Sequence, residues 1–108
     1  MGAMINIAYD SHRVSADEAT QLATSLQLLV MEAMGEKDVF VYADAKSITV
    51  AADSIEVFVQ VNEQKLSDPA DLMDTVAEKL NIWKKGNNFQ QPINLNVIPV
   101  IWYSKIGV

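Results

Sequence analysis

The feature that most limits what this chain can fold into is an order of elements that occurs twice. Ile5, Ile7 and Tyr9 alternate with Asn6 and Ala8, the period-2 pattern of a strand over about residues 4–10. A helical pattern, more strand material, a second helical pattern and a last alternating segment follow. Ile5–Tyr9 stands 50 positions before Ile55–Val59, Leu22 and Leu26 stand 54 before Val76 and Leu80, and Val39 and Val41 stand 54 before Ile93 and Leu95. A nearly fixed offset at this length marks a duplicated supersecondary unit, here β-α-β. The two units are taken as residues 4–45 and 54–100 of a single domain spanning 1–108. Two right-handed units side by side predict an α/β two-layer sandwich: a four-stranded sheet with both helices on one face.

Local chemistry sets the boundaries. Ser15 and Glu18 stand at the spacing of a capping box, each side chain able to satisfy the other's backbone N–H. Behind them Ala19, Leu22, Ala23, Leu26, Leu29, Val30 and Ala33 keep the i, i+3, i+4 rhythm of one buried stripe, and Gly35 supplies the stop. In the second helix Asp68 is the cap, Pro69 the first helical residue, Leu72, Val76, Leu80 and Trp83 the stripe, and Lys84-Lys85-Gly86 the end. Between the helices the stretch from Val39 to Val61 divides into strands at Val39–Ala43, a short Ser47–Ala51 segment and Ser54–Val61. Turns are expected at Asp44–Lys46 and Asp53-Ser54. The last strand carries Ile93, Leu95 and Val97, with Pro99 limiting further ladder pairing.

Such a sandwich leaves one sheet face uncovered. Val39 and Val41 point one way and Phe40 and Tyr42 the other, so both faces are fit for burial. Two helices cannot cover both, which predicts a closed homo-oligomer.

Composition narrows the function classes. With 14 acidic residues against 8 basic ones the net charge is −6, and the basic residues are scattered, so nucleic acid and anionic membranes are poor partners. There is no cysteine, which removes thiolate chemistry and disulfides and suits a reducing cytoplasm. No apolar run approaches the ~20 residues that span a bilayer, and no export signal is visible. Gly-rich phosphate loops, nucleophile elbows and clustered metal-ligand loops are missing, so no cofactor and no metal is expected.

The β-α-β-β-α-β order with a pseudo-duplication, and the stretches "RVSADEATQLATSL" and "SIEVFVQVNEQKLSDPADLMDTVAEKL", resemble the tautomerase / macrophage-migration-inhibitory-factor superfamily. The second half looks most like an uncharacterised bacterial branch of it. A ferredoxin-like fold shares the element order and is the structural alternative. The resemblance implies a homotrimer whose sheets wrap into a barrel. It also implies keto–enol chemistry at an N-terminal proline, whose lowered pKa lets it take a proton from carbon. Arg13 matches the position that clamps a substrate carboxylate, and Trp102 and Tyr103 match the aromatic wall of the pocket. The proline has no counterpart. Met4 heads the first strand, and the three prolines are Pro69, Pro92 and Pro99.

Met4, Arg13, Trp102 and Tyr103 are therefore the candidate ligand-binding residues, without an assigned catalytic group. Met1-Gly2-Ala3 is read as an addition ahead of a natural start at Met4. His12, the single histidine, is read as a solvated loop residue. Two functions follow: a non-catalytic oligomeric binding or interaction protein, or a divergent tautomerase acting on a small anionic carbonyl compound. The missing proline favours the first.

Overall fold

In the computed structural model, which describes residues 2–108, the element order is β1 Ala3–Asp10, α1 Ala16–Met34, β2 Val39–Lys46, β3 Ile55–Asn62, a 3-10 turn Glu63–Lys65, α2 Pro69–Gly86 and β4 Ile93–Val100. Met1 lies outside the described residues. Corresponding elements of the two halves start 52, 53 and 54 positions apart, at Ala3 and Ile55, Ala16 and Pro69, Val39 and Ile93. The strand offset of 50 read from the sequence is thus two residues short. Because two is the side-chain period of a strand, the assignment of faces is unaffected.

The sheet order is β2-β1-β3-β4. β1 runs parallel to β2 from Ala3↔Val39, antiparallel to β3 from Ala3↔Val61, and β3 runs parallel to β4 from Ile55↔Ile93. In each half the two parallel strands are direct neighbours, with nothing inserted between them. That excludes the ferredoxin-like alternative, whose β-α-β units are split by an intervening strand.

One alternate series of residues faces the helices. Ile5, Ile7, Val57, Val59 and Val61 from the central strands pack with Leu22, Leu26 and Val30 of α1 and Leu72, Val76 and Leu80 of α2 in one cluster. The caps are those the sequence called for. Ser15 Oγ accepts from the Glu18 N–H while Glu18 Oε1 accepts from the Ser15 N–H, both at 3.0 Å. Gly35 closes α1 in the left-handed region at φ 67°, a conformation that costs a side chain about 1 kcal/mol. Asp68 accepts from the Ala70 and Asp71 N–H groups ahead of α2. After α2, Asn88 turns the chain at φ 52°, and Phe89 folds back to within 5.1 Å of the Trp83 ring, covering that end of the core.

Two boundaries differ from expectation. β2 continues through Asp44–Lys46, because Ala8, Tyr9 and Asp10 offer ladder partners to all three and tertiary pairing overrides turn propensity. The Ser47–Ala51 segment forms no strand; it is a loop, with Ala51 at φ 57°. At the start of the chain, the Gly2 and Ala3 N–H groups donate to Asp38 O at 3.0 and 3.1 Å, and Ala3 is fully buried. A Cβ on Gly2 would meet the Glu36 side chain at 3.0 Å.

Candidate functional site

Asp10 ends β1 and belongs to the series Met4, Asn6, Ala8, Asp10 that faces away from the helices, yet it is buried. The reason is the 47–54 loop, which folds over this end of the sheet. Asp10 accepts three bonds: from the His12 N–H at 2.9 Å, from Arg13 Nε at 2.8 Å and from Thr49 Oγ1 at 3.2 Å. Those donors, the His12 amide foremost and then Arg13, hold its carboxyl below the ordinary value of 3.8 despite burial.

The neighbouring groups tie the same loop down. Arg13 Nη2 donates to Ala52 O at 3.1 Å, and its own carbonyl accepts from Gln91 Nε2 at 2.8 Å. The Ser11 N–H donates to Lys46 O, and the Asp10 N–H to Ser54 O. His12 Nε2 meets Ser47 O at 3.0 Å; a carbonyl only accepts, so that nitrogen carries the proton. Residues 10–13 thus act as a strap across residues 46–54. Arg13 ends the strap, its guanidinium shared between a buried carboxylate and a loop carbonyl.

The other nominated residues lie elsewhere. Met4 is at the opposite end of β1, about 20 Å away at ~3.3 Å per residue. Trp102 and Tyr103 follow β4, whose last residue pairs with Asn62 beside that same end. One chain therefore brings Met4, Trp102 and Tyr103 to one end of the sheet and Arg13 to the other. Trp102 is half-buried and Tyr103 almost wholly exposed.

Between the two ends runs the uncovered face, in rows set by the ladders. Phe40, Met4, Gln60 and Ile98 form one row, Tyr42, Asn6, Phe58 and Asn96 the next, and Asp44, Ala8, Glu56 and Asn94 the third. The first two rows are mixed apolar and amide; the third is acidic and amide. Asn94 Nδ2 bridges Glu56 and Asp53, and Asn96 Nδ2 donates to Val57 O at 3.1 Å. The face is thus more polar than the alternation of the sequence suggested.

The cavities do not fall on these residues. A shallow groove of about 450 Å³ lies at the end of α2 against Lys84, Lys85, Asn88 and Phe89, and a smaller one of about 130 Å³ between Met34, Lys65 and Asp71. Neither includes Met4, Arg13, Trp102 or Tyr103. Among the described residues no cluster of three metal-ligating side chains occurs, and no helix is long and apolar enough to cross a membrane.

No protein-family model matches the sequence, and no curated protein matches it significantly. Solved structures do match. One is 5-carboxymethyl-2-hydroxymuconate delta-isomerase, at TM-score 0.67 and 12% identity, over 98% of this chain and 89% of that one. Another is the macrophage migration inhibitory factor of Trichinella spiralis, at TM-score 0.59 and 10% identity, over 90% and 88%. The fold is that of the tautomerase superfamily. A domain of unknown function from Sebaldella termitidis shares it at TM-score 0.65 and 12% identity, over 98% and 97%. The tautomerase fold therefore accompanies an isomerase in one neighbour and no stated activity in another, and function has to be argued from the site.

Asp10 is the residue that sequence reasoning missed. Its signal was present in "YDSHR": an acid in the outward series of a strand, three residues before an arginine, is an ion-pair candidate across a turn.

Proposed function

We propose that this protein is a non-catalytic binding or interaction module that self-associates, as a homotrimer, through the uncovered face of its sheet. A bacterial, cytoplasmic setting is part of the proposal; the branch that the sequence resembles supports it. The observation that carries the reading is the Arg13–Asp10 contact at 2.8 Å. A carboxylate-binding arginine has to present a free fork to its ligand. Here Nε is paired with an internal carboxylate and Nη2 with Ala52 O, so the charge is already partnered and the Nε side of the fork is taken; only the Nη1 and remaining Nη2 N–H groups could meet an anion. Met4 in place of proline removes the expected base as well.

The uncovered face supports association. Phe40, Tyr42 and Ile98 are exposed large apolar residues on it, 41%, 58% and 37% accessible, and three such side chains on one face favour burial against another surface. The second reading is a divergent isomerase for a small keto or enol carboxylic acid, favoured by the isomerase among the structural neighbours. In that reading Arg13 of one copy would serve a pocket at Met4, Trp102 and Tyr103 of another.

Native mass and phenylpyruvate enolisation separate the two. A mass of three chains, with enolisation no faster than in buffer and unchanged by Arg13→Ala, is the expected result. Turnover that disappears in Arg13→Ala would establish the isomerase reading instead. A monomer at 100 µM would defeat self-association.

A further inference from the structure

Charge is not spread evenly along this chain. All 14 acidic residues fall within residues 1–78, and the stretch 79–108 holds four lysines and no acid. Lys84 and Lys85 are the only adjacent pair of lysines, and both line the groove of about 450 Å³ where α2 turns toward β4. Asn81, Asn88, Phe89 and Gln90 complete the lining. Among the described residues the groove is therefore walled by ammonium and amide groups around one aromatic ring, with no carboxylate. Its volume is in the range of small-molecule sites.

Cations at the end of a helix commonly serve its last carbonyls. Here those carbonyls are already taken. Trp83 O accepts from the Asn87 N–H and from Asn87 Nδ2, Lys84 O from the Phe89 N–H, and Lys85 O from the Asn88 N–H. Lys84 Nζ donates instead to Gln91 O at 2.7 Å, and Gln91 is anchored in turn by its Nε2 on Arg13 O at 2.8 Å. One of the three ammonium N–H groups is thereby used and the other two are held in place at the groove, which lowers the ordering cost of binding. Lys85 is exposed and makes no ion pair among the described residues. Gln90 Nε2 donates to Asn88 Oδ1 at 2.6 Å, which occupies the acceptor of that amide and leaves its N–H groups to donate.

We propose that this groove binds the phosphate of a small organic phosphate monoester. Two ammonium groups match the nearly two negative charges that such a group carries at neutral pH. A planar carboxylate is met best by the fork of an arginine, and the groove has none. Lysines act as point charges and suit a tetrahedral group whose three acceptor oxygens point in different directions. The Asn88 amide supplies a further donor. The groove is larger than a phosphate group, so room remains beside Asn81 and Phe89 for the organic part. One copy of the chain supplies every residue of the site, so it stands apart from the self-association proposed above.

The test is an NMR titration of the backbone amides in about 0.15 M salt, where non-specific charge attraction is screened. The probes are phenyl phosphate, inorganic phosphate and succinate. Phenyl phosphate should give saturating shifts confined to residues 81–91, inorganic phosphate should shift the same residues more weakly, and succinate should bind more weakly than either. Lys85→Gln breaks no ion pair of the described residues; it should weaken phenyl phosphate binding about three- to tenfold with the melting temperature unchanged. Asn88→Gly keeps the left-handed turn at φ 52° without strain and should weaken binding by a smaller factor. Lys105→Gln removes the same charge beyond the far end of β4 and should leave the affinity as it was. Shifts without saturation, or equal losses in Lys85→Gln and Lys105→Gln, overturn the site. Succinate binding as tightly as phenyl phosphate overturns the assignment to phosphate, and inorganic phosphate binding as tightly overturns the organic part. A monomeric protein defeats self-association and leaves this test unaffected.

Discussion

The two faces of the one sheet are built from the same strands and treated oppositely by the fold. On the helix side Ile5, Ile7, Val57 and Val59 are fully buried against the apolar stripes of α1 and α2. On the other side their chain neighbours Met4, Asn6, Phe58 and Gln60 remain half-exposed, except at the far corner, where Asp10 and Arg13 hold a loop over the sheet. The helix side is closed by non-directional packing. The corner is closed by hydrogen bonds, and the rest of the open face is covered by none of the described residues. The difference teaches that residues nominated for chemistry can be consumed by closure: Arg13 at the corner is fastener before it is ligand.

The largest break in this contrast should come from the helix side. Leu26→Ala removes a fully buried side chain and leaves a cavity, so chemical denaturation should report a loss of about 2–5 kcal/mol. Tyr42→Ser on the open face should change monomer stability by less than ~0.5 kcal/mol while weakening assembly, as read by sedimentation.

The caps come next. Ser15→Ala strips the α1 capping box and should cost about 1 kcal/mol, a smaller effect than any core truncation. Equal losses in Ser15→Ala and Leu26→Ala would mean that the helix side is not closed by packing.

Acid should open the corner alone. The Asp10 carboxyl is held below its ordinary value of 3.8, so its contribution is complete above that pH and fades as pH falls through the lower folded-state value. Asp10→Asn should therefore lower the melting temperature at neutral pH, and the gap to the unmodified protein should narrow below about pH 3.8. A gap that stays constant down to pH 2 would show that Asp10 acts by shape and not by charge. The smallest effect is expected from His12→Ala, which removes one exposed bond to Ser47 O; amide exchange in residues 47–52 should quicken slightly with no shift in melting temperature.

Much of the fold was legible because its causes are local. Period-2 and period-3.6 alternation located the four strands and both helix stripes, although Ser47–Ala51, also read as strand, is a loop, and short-range capping chemistry at Ser15, Gly35 and Asp68 set where the helices begin and end. Strand order was less legible. The same six elements fit a split arrangement, and only the direct β1–β2 and β3–β4 pairing removed it. The end of β2 was misread for a related reason: Asp44–Lys46 has turn chemistry locally, and the ladder to Ala8–Asp10 outweighs it.

The site was the least legible part. Arg13, Thr49, Ala52 and Gln91 are up to 78 positions apart, and no short pattern announces that they meet around Asp10 and the loop. What the sequence by itself determined was the inventory: duplicated β-α-β units, their caps, and the absence of a proline at the head of the first strand. Only the tertiary structure decided what Arg13 is bound to, which sheet edge is left bare and which face is open. Those depend on contacts between distant residues, and a contact's partner is set by the packing of the whole chain, whereas a cap or an alternation is set within a few residues of itself.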